Sequence, residues 1–357
     1  MSERLLNPKA SDMEPYAKKP EECSLVGTNY ANVTAEAKVT GRAKYAGDFN
    51  FPGMLYAKFL RSPHPHANIL SVDTSEAEKL PGVKGIITGK DFPYGKLGCC
   101  EFADDENDKF PLQAEKVRLI GDEVACVAAV DEATAAAACK LIKVEYEVLK
   151  AAFTPMEAAA DDMPAIHKEG RRNLSMHCEM HGGDVEKAFA EADYTDNYHY
   201  STPYVMHSAM EPHAAVAKYE DGEVTLWTST QTAYVSRFYV SATLGLPQSK
   251  VRVIQPYVGG GFGGKLDIFP HEACVCKLAM ITGKPVRLVL TRDEVFYATR
   301  TRHPIEFDIE TAFKKDGTLL AKRCKHTLTG GGYSGTGTPA TMLSMVWANL
   351  PYKLPNL

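Results

Sequence analysis

Gly259-Gly260-Gly261-Phe262-Gly263-Gly264-Lys265 follows a strand-like run, Lys250-Val251-Arg252-Val253-Ile254, and precedes a helix-like run from Phe269 to Ile281 that closes at Gly283. Five glycines around one phenylalanine leave a backbone without Cβ atoms, whose N–H groups can converge on the oxygens of a bulky ligand. The strand-to-helix junction adds the positive end of a helix dipole. The stretch therefore reads as an anion-binding loop.

Two familiar glycine loops fit only in part. Gly259, Gly261 and Gly264 satisfy G-x-G-x-x-G, but a dinucleotide site needs an acid about twenty residues on, at the end of the next strand. Here that strand is Pro285 to Leu290, and its first acids, Asp293 and Glu294, come after Thr291-Arg292. The glycine and lysine positions of a nucleotide-triphosphate loop are also met, yet Leu266 stands where a Ser or Thr must reach Mg²⁺. A nucleoside triphosphatase is excluded.

Further strings accompany the loop: Val39-Thr40-Gly41-Arg42-Ala43-Lys44-Tyr45, Leu60-Arg61-Ser62-Pro63-His64-Pro65-His66-Ala67, Gly121-Asp122-Glu123-Val124-Ala125, Met210-Glu211-Pro212-His213, Ser229-Thr230-Gln231, Gln255-Pro256-Tyr257-Val258 and Arg300-Thr301-Arg302-His303-Pro304. In this order they resemble the large subunits of the molybdenum hydroxylases, the xanthine dehydrogenase and aldehyde oxidase family, over nearly the whole chain. The overall look is nearest to 4-hydroxybenzoyl-CoA reductase and nicotinate dehydrogenase. The resemblance implies an α+β protein: an N-terminal α/β hammerhead-like domain, then the first part of a mixed α/β molybdopterin-binding domain.

It also implies a molybdenum ion on a molybdopterin, expected in the cytosine dinucleotide form, that carries the redox chemistry while the protein positions and hydrogen-bonds. Gln231, twenty-eight residues before Gly259, matches the glutamine that donates to an oxo ligand. Gly260, Gly261, Phe262, Gly263 and Gly264 match the segment lying against the cofactor, and no residue is expected to bind the metal directly. Leu266 falls where purine-oxidising relatives carry Glu or Gln, which favours a flatter, less polar ring. Glu211 and His213 are acid–base candidates on the bare sequence, with pocket wall as the preferred role. Lys265 suits either an anion or solvent, and Arg300 and Arg302 beside His303 suit an acidic ligand or a solvated basic turn.

The chain reaches Leu357 before the family's Ala-Phe-Arg-Gly-Phe-Gly type segment and its general-base glutamate. The expectation is thus that no catalytic residue lies here and that the chain alone is inactive, as one piece of a split subunit or a truncation. Apolar residues near Met342, Met345, Val346 and Trp347 are then expected to lack full cover. Implied partners are the remaining molybdopterin-binding half, a [2Fe-2S] subunit and a FAD subunit, in a higher oligomer of heteromers. The reaction is hydroxylation with a water-derived oxygen, or reductive dehydroxylation, of an aromatic or N-heteroaromatic substrate. A non-catalytic scaffold of the same fold, and a purine or aldehyde substrate, remain as alternatives.

Composition bounds the rest. With 357 residues, 45% hydrophobic and 24% charged, the chain suits two or three domains. Its net charge of −5 offers no basic surface for nucleic acid. No run approaches the roughly 20 apolar residues of a membrane helix, and Met1 to Glu22 is too polar for a signal peptide, so a cytoplasmic location is expected. Nine scattered cysteines read as reduced thiols. His177-Cys178-Glu179-Met180-His181 reads as surface strand, and Cys99-Cys100 and Cys274-Val275-Cys276 lack cluster spacing. Expected organisation is an arm over 1–24, the hammerhead-like domain over 25–149, an Ala/Asp/Pro-rich linker over 150–173, and the cofactor-binding domain over 174–357. Helices are expected at Glu132–Leu141 and, capped by Asp184, Val185–Ala192.

Overall fold

A computed structural model describes residues 22–25, 27–98, 108–167, 173–349 and 351–357. The expected arm and Cys99-Cys100 fall almost wholly outside these. The chain divides after Ala43; the first unit carries one short helix, α1 (Ala35–Val39), with Arg42 paired to Glu36.

From Lys44 onward, the strands come first as β1 (Leu55–Arg61), β2 (Ala67–Asp73), β3 (Val83–Thr88), β4 (Lys116–Val117), β5 (Glu123–Ala129) and β6 (Lys143–Val148). Helices α2 (Ser75–Glu78) and α3 (Glu132–Leu141) lie among them, and α4 (Pro155–Ala158) and α5 (Val185–Ala190) follow. Next are β7 (Tyr194–Thr202), β8 (Val205–Met206), β9 (Ala214–Glu220), β10 (Glu223–Thr228), α6 (Ala233–Leu244), β11 (Val251–Ile254), α7 (Pro270–Thr282) and β12 (Val286–Val289). The last elements are α8 (Arg292–Ala298), β13 (Thr301–Arg302), β14 (Ile305–Phe313), β15 (Leu319–Leu328) and α9 (Gly337–Trp347).

One seven-stranded sheet, in the order β11-β10-β9-β12-β1-β5-β3, runs through both expected domains. Its seam is the parallel pairing of β1 with β12, which sets Leu55 opposite Val286. Strand β5 is buried along its whole length, and its alternating side chains serve two cores, as the two-residue repeat of a strand requires. Cys126 and Ala128 face the main core with Leu55, Phe59, Leu278 and Leu288, while Ala125 and Val127 face α3 through Ala138 and Cys139. Helix α7 lies over the sheet with both polar and apolar faces buried, including His271 and Glu272. It ends at Gly283, whose φ of +61° is the left-handed cap that glycine adopts without penalty.

The smaller sheets are β4-β2-β6, the ribbon β13-β8 and β15-β14-β7. Asp184 caps α5 by accepting from Lys187 N at 3.0 Å, but that helix ends at Ala190, two residues before the expected Ala192. Residues 177–181 form no strand; His177 and His181 instead both bond the exposed Glu179 carboxylate, at 3.0 and 3.1 Å. On α9, Met342, Leu343, Val346 and Trp347 stay exposed. None of the seven described cysteines is in a disulfide.

Candidate functional site

The glycine loop leaves β11 and enters α7, and four polar side chains hold it from behind. Gln231, just past β10, accepts through Oε1 from the amides of both Gly263 and Lys265 at 3.1 Å, while its own N–H donates to Lys265 O at 2.9 Å. Backbone amides only donate, so the atom facing them is the oxygen, and the Gln231 NH₂ group has no described acceptor. No described residue accepts from the N–H groups of Gly260, Gly261 or Phe262. The loop thus retains three backbone donors without a described acceptor, although Gly261 itself is buried.

Close packing explains the glycines. A Cβ on Gly259 would lie 2.5 Å from Glu211 Cβ, one on Gly261 2.4 Å from Gln231 Oε1, and one on Gly264 2.9 Å from His207 Nδ1. Phe262 itself has φ +55°, a conformation costly for a bulky side chain, and its ring is 74% exposed.

Glu211 and His213 sit behind the loop and line no part of the groove on its outer face. Glu211 Oε2 accepts from Gly259 N and from Lys265 Nζ, each at 2.8 Å, and Lys265 is only 1% exposed. Lys265 is therefore neither a solvated lysine nor a ligand for an outside anion; burial draws its pKa down while Glu211 holds it up. His213 is buried against Phe269, with ring centroids 4.5 Å apart, and donates from Nε2 to Gly264 O at 3.0 Å. Burial depresses its pKa to about 4, and its Nδ1 meets no described partner. Both candidates thus act as struts, because Glu211 Oε2 and His213 Nε2 are each engaged by the loop, although Glu211 Oε1 and His213 Nδ1 have no described partner.

On the outer face a groove of about 370 Å³ opens between Phe262, Gly263 and Leu266 on one side and Val205, Met206, Arg300, Arg302 and His303 on the other. Arg300 is paired with Asp267 behind the wall. His207, which sequence reasoning passed over as an isolated residue, lines this groove and donates from Nδ1 to Arg300 O at 3.2 Å. Its Nε2 therefore faces Gly263 as the free ring nitrogen. Burial and Arg300 depress the His303 pKa to about 4. A second depression of about 460 Å³, beside Tyr45 and Arg287, is already neutralised by Glu132, which pairs Lys58 at 3.2 Å and Arg287 at 3.4 Å.

A strand, a glycine loop with unpartnered amides and a helix form the kind of junction that can lie against an anionic ligand. Residues 166–357 match the molybdopterin cofactor-binding domain, and residues 40–150 match the a/b hammerhead domain of aldehyde oxidase and xanthine dehydrogenase. The chain belongs to the molybdenum hydroxylase family, as a molybdopterin-binding large subunit. It is 40% identical to the xanthine dehydrogenase molybdenum-binding subunit of Escherichia coli O157:H7, across 80% of this chain and 39% of that protein. It is 37% identical to the nicotinate dehydrogenase large molybdopterin subunit of Eubacterium barkeri, across 94% of this chain and 78% of that one. The aldehyde oxidoreductase from Desulfovibrio gigas superposes with a TM-score of 0.87 at 31% identity, over 99% of this chain and 40% of that one. The chain thus spans about two fifths of several relatives' length.

The residues present fit the cofactor these relatives name. The cradle has no room for Cβ atoms at Gly259, Gly261 and Gly264 and keeps backbone donors without a described acceptor, which is what an oxygen-rich ligand needs.

Proposed function

We propose that this chain forms the cofactor-facing wall and part of the substrate pocket of a molybdenum oxidoreductase acting on an aromatic or N-heteroaromatic acid, or its thioester. The observation that carries the reading is the Gln231 amide, whose oxygen is fixed by Gly263 N and Lys265 N, which leaves its NH₂ group and the amides of Gly260 to Phe262 without a described acceptor. When bound, the molybdenum cofactor would supply the two-electron chemistry at an electron-poor carbon. Gln231 and the loop amides would bind and orient its oxygens, with Gly264 among the residues that let the backbone approach. The exposed Phe262 ring and Leu266 would shield the reacting face from water and offer the substrate an apolar plane. Leu266 has no group to hydrogen-bond a purine, and a site lacking such a partner forgoes the discrimination it provides.

Iron–sulfur and FAD subunits would carry the electrons, the cytosine dinucleotide form of the cofactor is expected, and a cytoplasmic assembly suits thiols such as Cys126 and Cys274. The test is turnover by the full complex, with molybdenum content measured, on nicotinate, 4-hydroxybenzoyl-CoA and xanthine side by side. Molybdenum present with either ring substrate preferred is the expected result; xanthine preferred by a wide margin rejects the substrate class.

A further inference from the structure

The groove in front of the glycine loop is chemically lopsided. Phe262, Leu266, Met206 and Val205 give it apolar surface, and its volume of about 370 Å³ lies within the roughly 300–1,000 Å³ of small-molecule sites. No carboxylate of a described residue lines it. Of its two arginines, Arg300 is taken by Asp267, whereas Arg302 has no ion-pair or hydrogen-bond partner among the described residues. Arg302 is held in place by its backbone, since β13 pairs Arg302 with Val205 and Thr301 with Met206. A guanidinium in a groove with apolar lining, and with no anionic partner among the described residues, is matched by a ring bearing a carboxylate: the ring covers apolar lining such as Leu266 and the carboxylate takes the planar two-point bond that arginine offers.

Resting on the functional reading above, we infer that Arg302 anchors the anionic group of an aromatic substrate in this pocket through a direct ion pair.

The experiment uses the complete enzyme complex as wild type, Arg302→Gln and Arg302→Lys. Equilibrium binding and steady-state turnover are measured for nicotinate and for its neutral amide, alongside molybdenum and pterin content. The expected result is a loss of about 10- to 100-fold in affinity and kcat/KM for the acid, expressed in KM, the scale of a lost charged hydrogen bond. The amide should change far less, Arg302→Lys should recover part of the loss, and cofactor content should hold. Equal losses for acid and amide would make Arg302 a packing residue and overturn the inference. A fall in molybdenum or pterin content would assign the guanidinium to the cofactor's phosphate and overturn it too. Binding of the acid through Arg302 without turnover would leave the anchor standing and reject the substrate reading instead.

Discussion

At the scale of single residues, the loop works because small atoms stand where larger ones would collide. A methyl group on Gly261 would lie 2.4 Å from Gln231 Oε1 and would have to push the amide out of its two backbone bonds. Gly261→Ala should therefore lower molybdenum and pterin content of the complex while the circular dichroism spectrum is retained; unchanged content would show that the Gln231 orientation is immaterial. Gln231→Glu isolates the NH₂ group, since a carboxylate still accepts from Gly263 N and Lys265 N but donates nothing. On the scale known for one lost preorganised donor, kcat should fall about 100-fold or more. A complex with normal molybdenum content and normal kcat would remove Gln231 from the site.

At the scale of elements, the loop is stiff because buried polar groups strut it from behind. Removing one member of a buried ion pair costs about 3–5 kcal/mol, so Glu211→Ala should lower unfolding stability by about that much. Replacing both Glu211 and Lys265 by Met should recover most of it, as measured by denaturant titration; a double variant as unstable as the sum of the singles would show that the pair is not coupled. His213 adds a pH dependence. Its pKa is about 4 in the folded chain and about 6.5 when unfolded, so the unfolded state takes up the proton first as pH falls. Its stabilisation is complete above pH 6.5 and is lost progressively down to pH 4, by about 3 kcal/mol. His213→Asn can keep the bond to Gly264 O without titrating, and its stability should decline less over that window; parallel curves would assign the acid sensitivity elsewhere. These struts were hard to read in the sequence. The loop, β11 and α7 were legible because glycine punctuation and apolar runs are local signals, and the alanine-rich run Glu132–Leu141 marked α3 in the same way. The Lys265–Glu211 pair spans 54 residues, and no local pattern shows that a loop lysine is buried. Helix α6 was missed because Tyr234, Val235, Phe238, Tyr239 and Val240 favour strands, and packing on the sheet overrides that preference.

At the scale of the whole molecule, two matched regions share one sheet, and the side chains that join them come from the motifs first noticed as short strings. Arg61, at the end of β1, donates from Nη1 to Glu123 on β5 at 2.7 Å and from Nε to Glu294 on α8 at 2.9 Å. Lys109 reaches Glu123 at 2.9 Å, and Tyr333, close to α9, donates to Asp122 at 2.8 Å. The Arg-Ser-Pro-His and Gly-Asp-Glu strings are thus a clasp between regions rather than parts of the cofactor cradle. Their spacing, more than 200 residues for the Arg61–Glu294 contact, hid that role from sequence reasoning. Because β1 also pairs with β12 along the seam, the two regions should unfold together. Arg61→Met leaves Glu294 without its described cation and Glu123 with Lys109 alone, so stability should drop by about 3–5 kcal/mol within one transition. Far-ultraviolet circular dichroism and the fluorescence of Trp227 and Trp347 should shift in step. If the variant instead shows two separated transitions, the shared sheet is not the cooperative unit and the clasp alone holds the regions together.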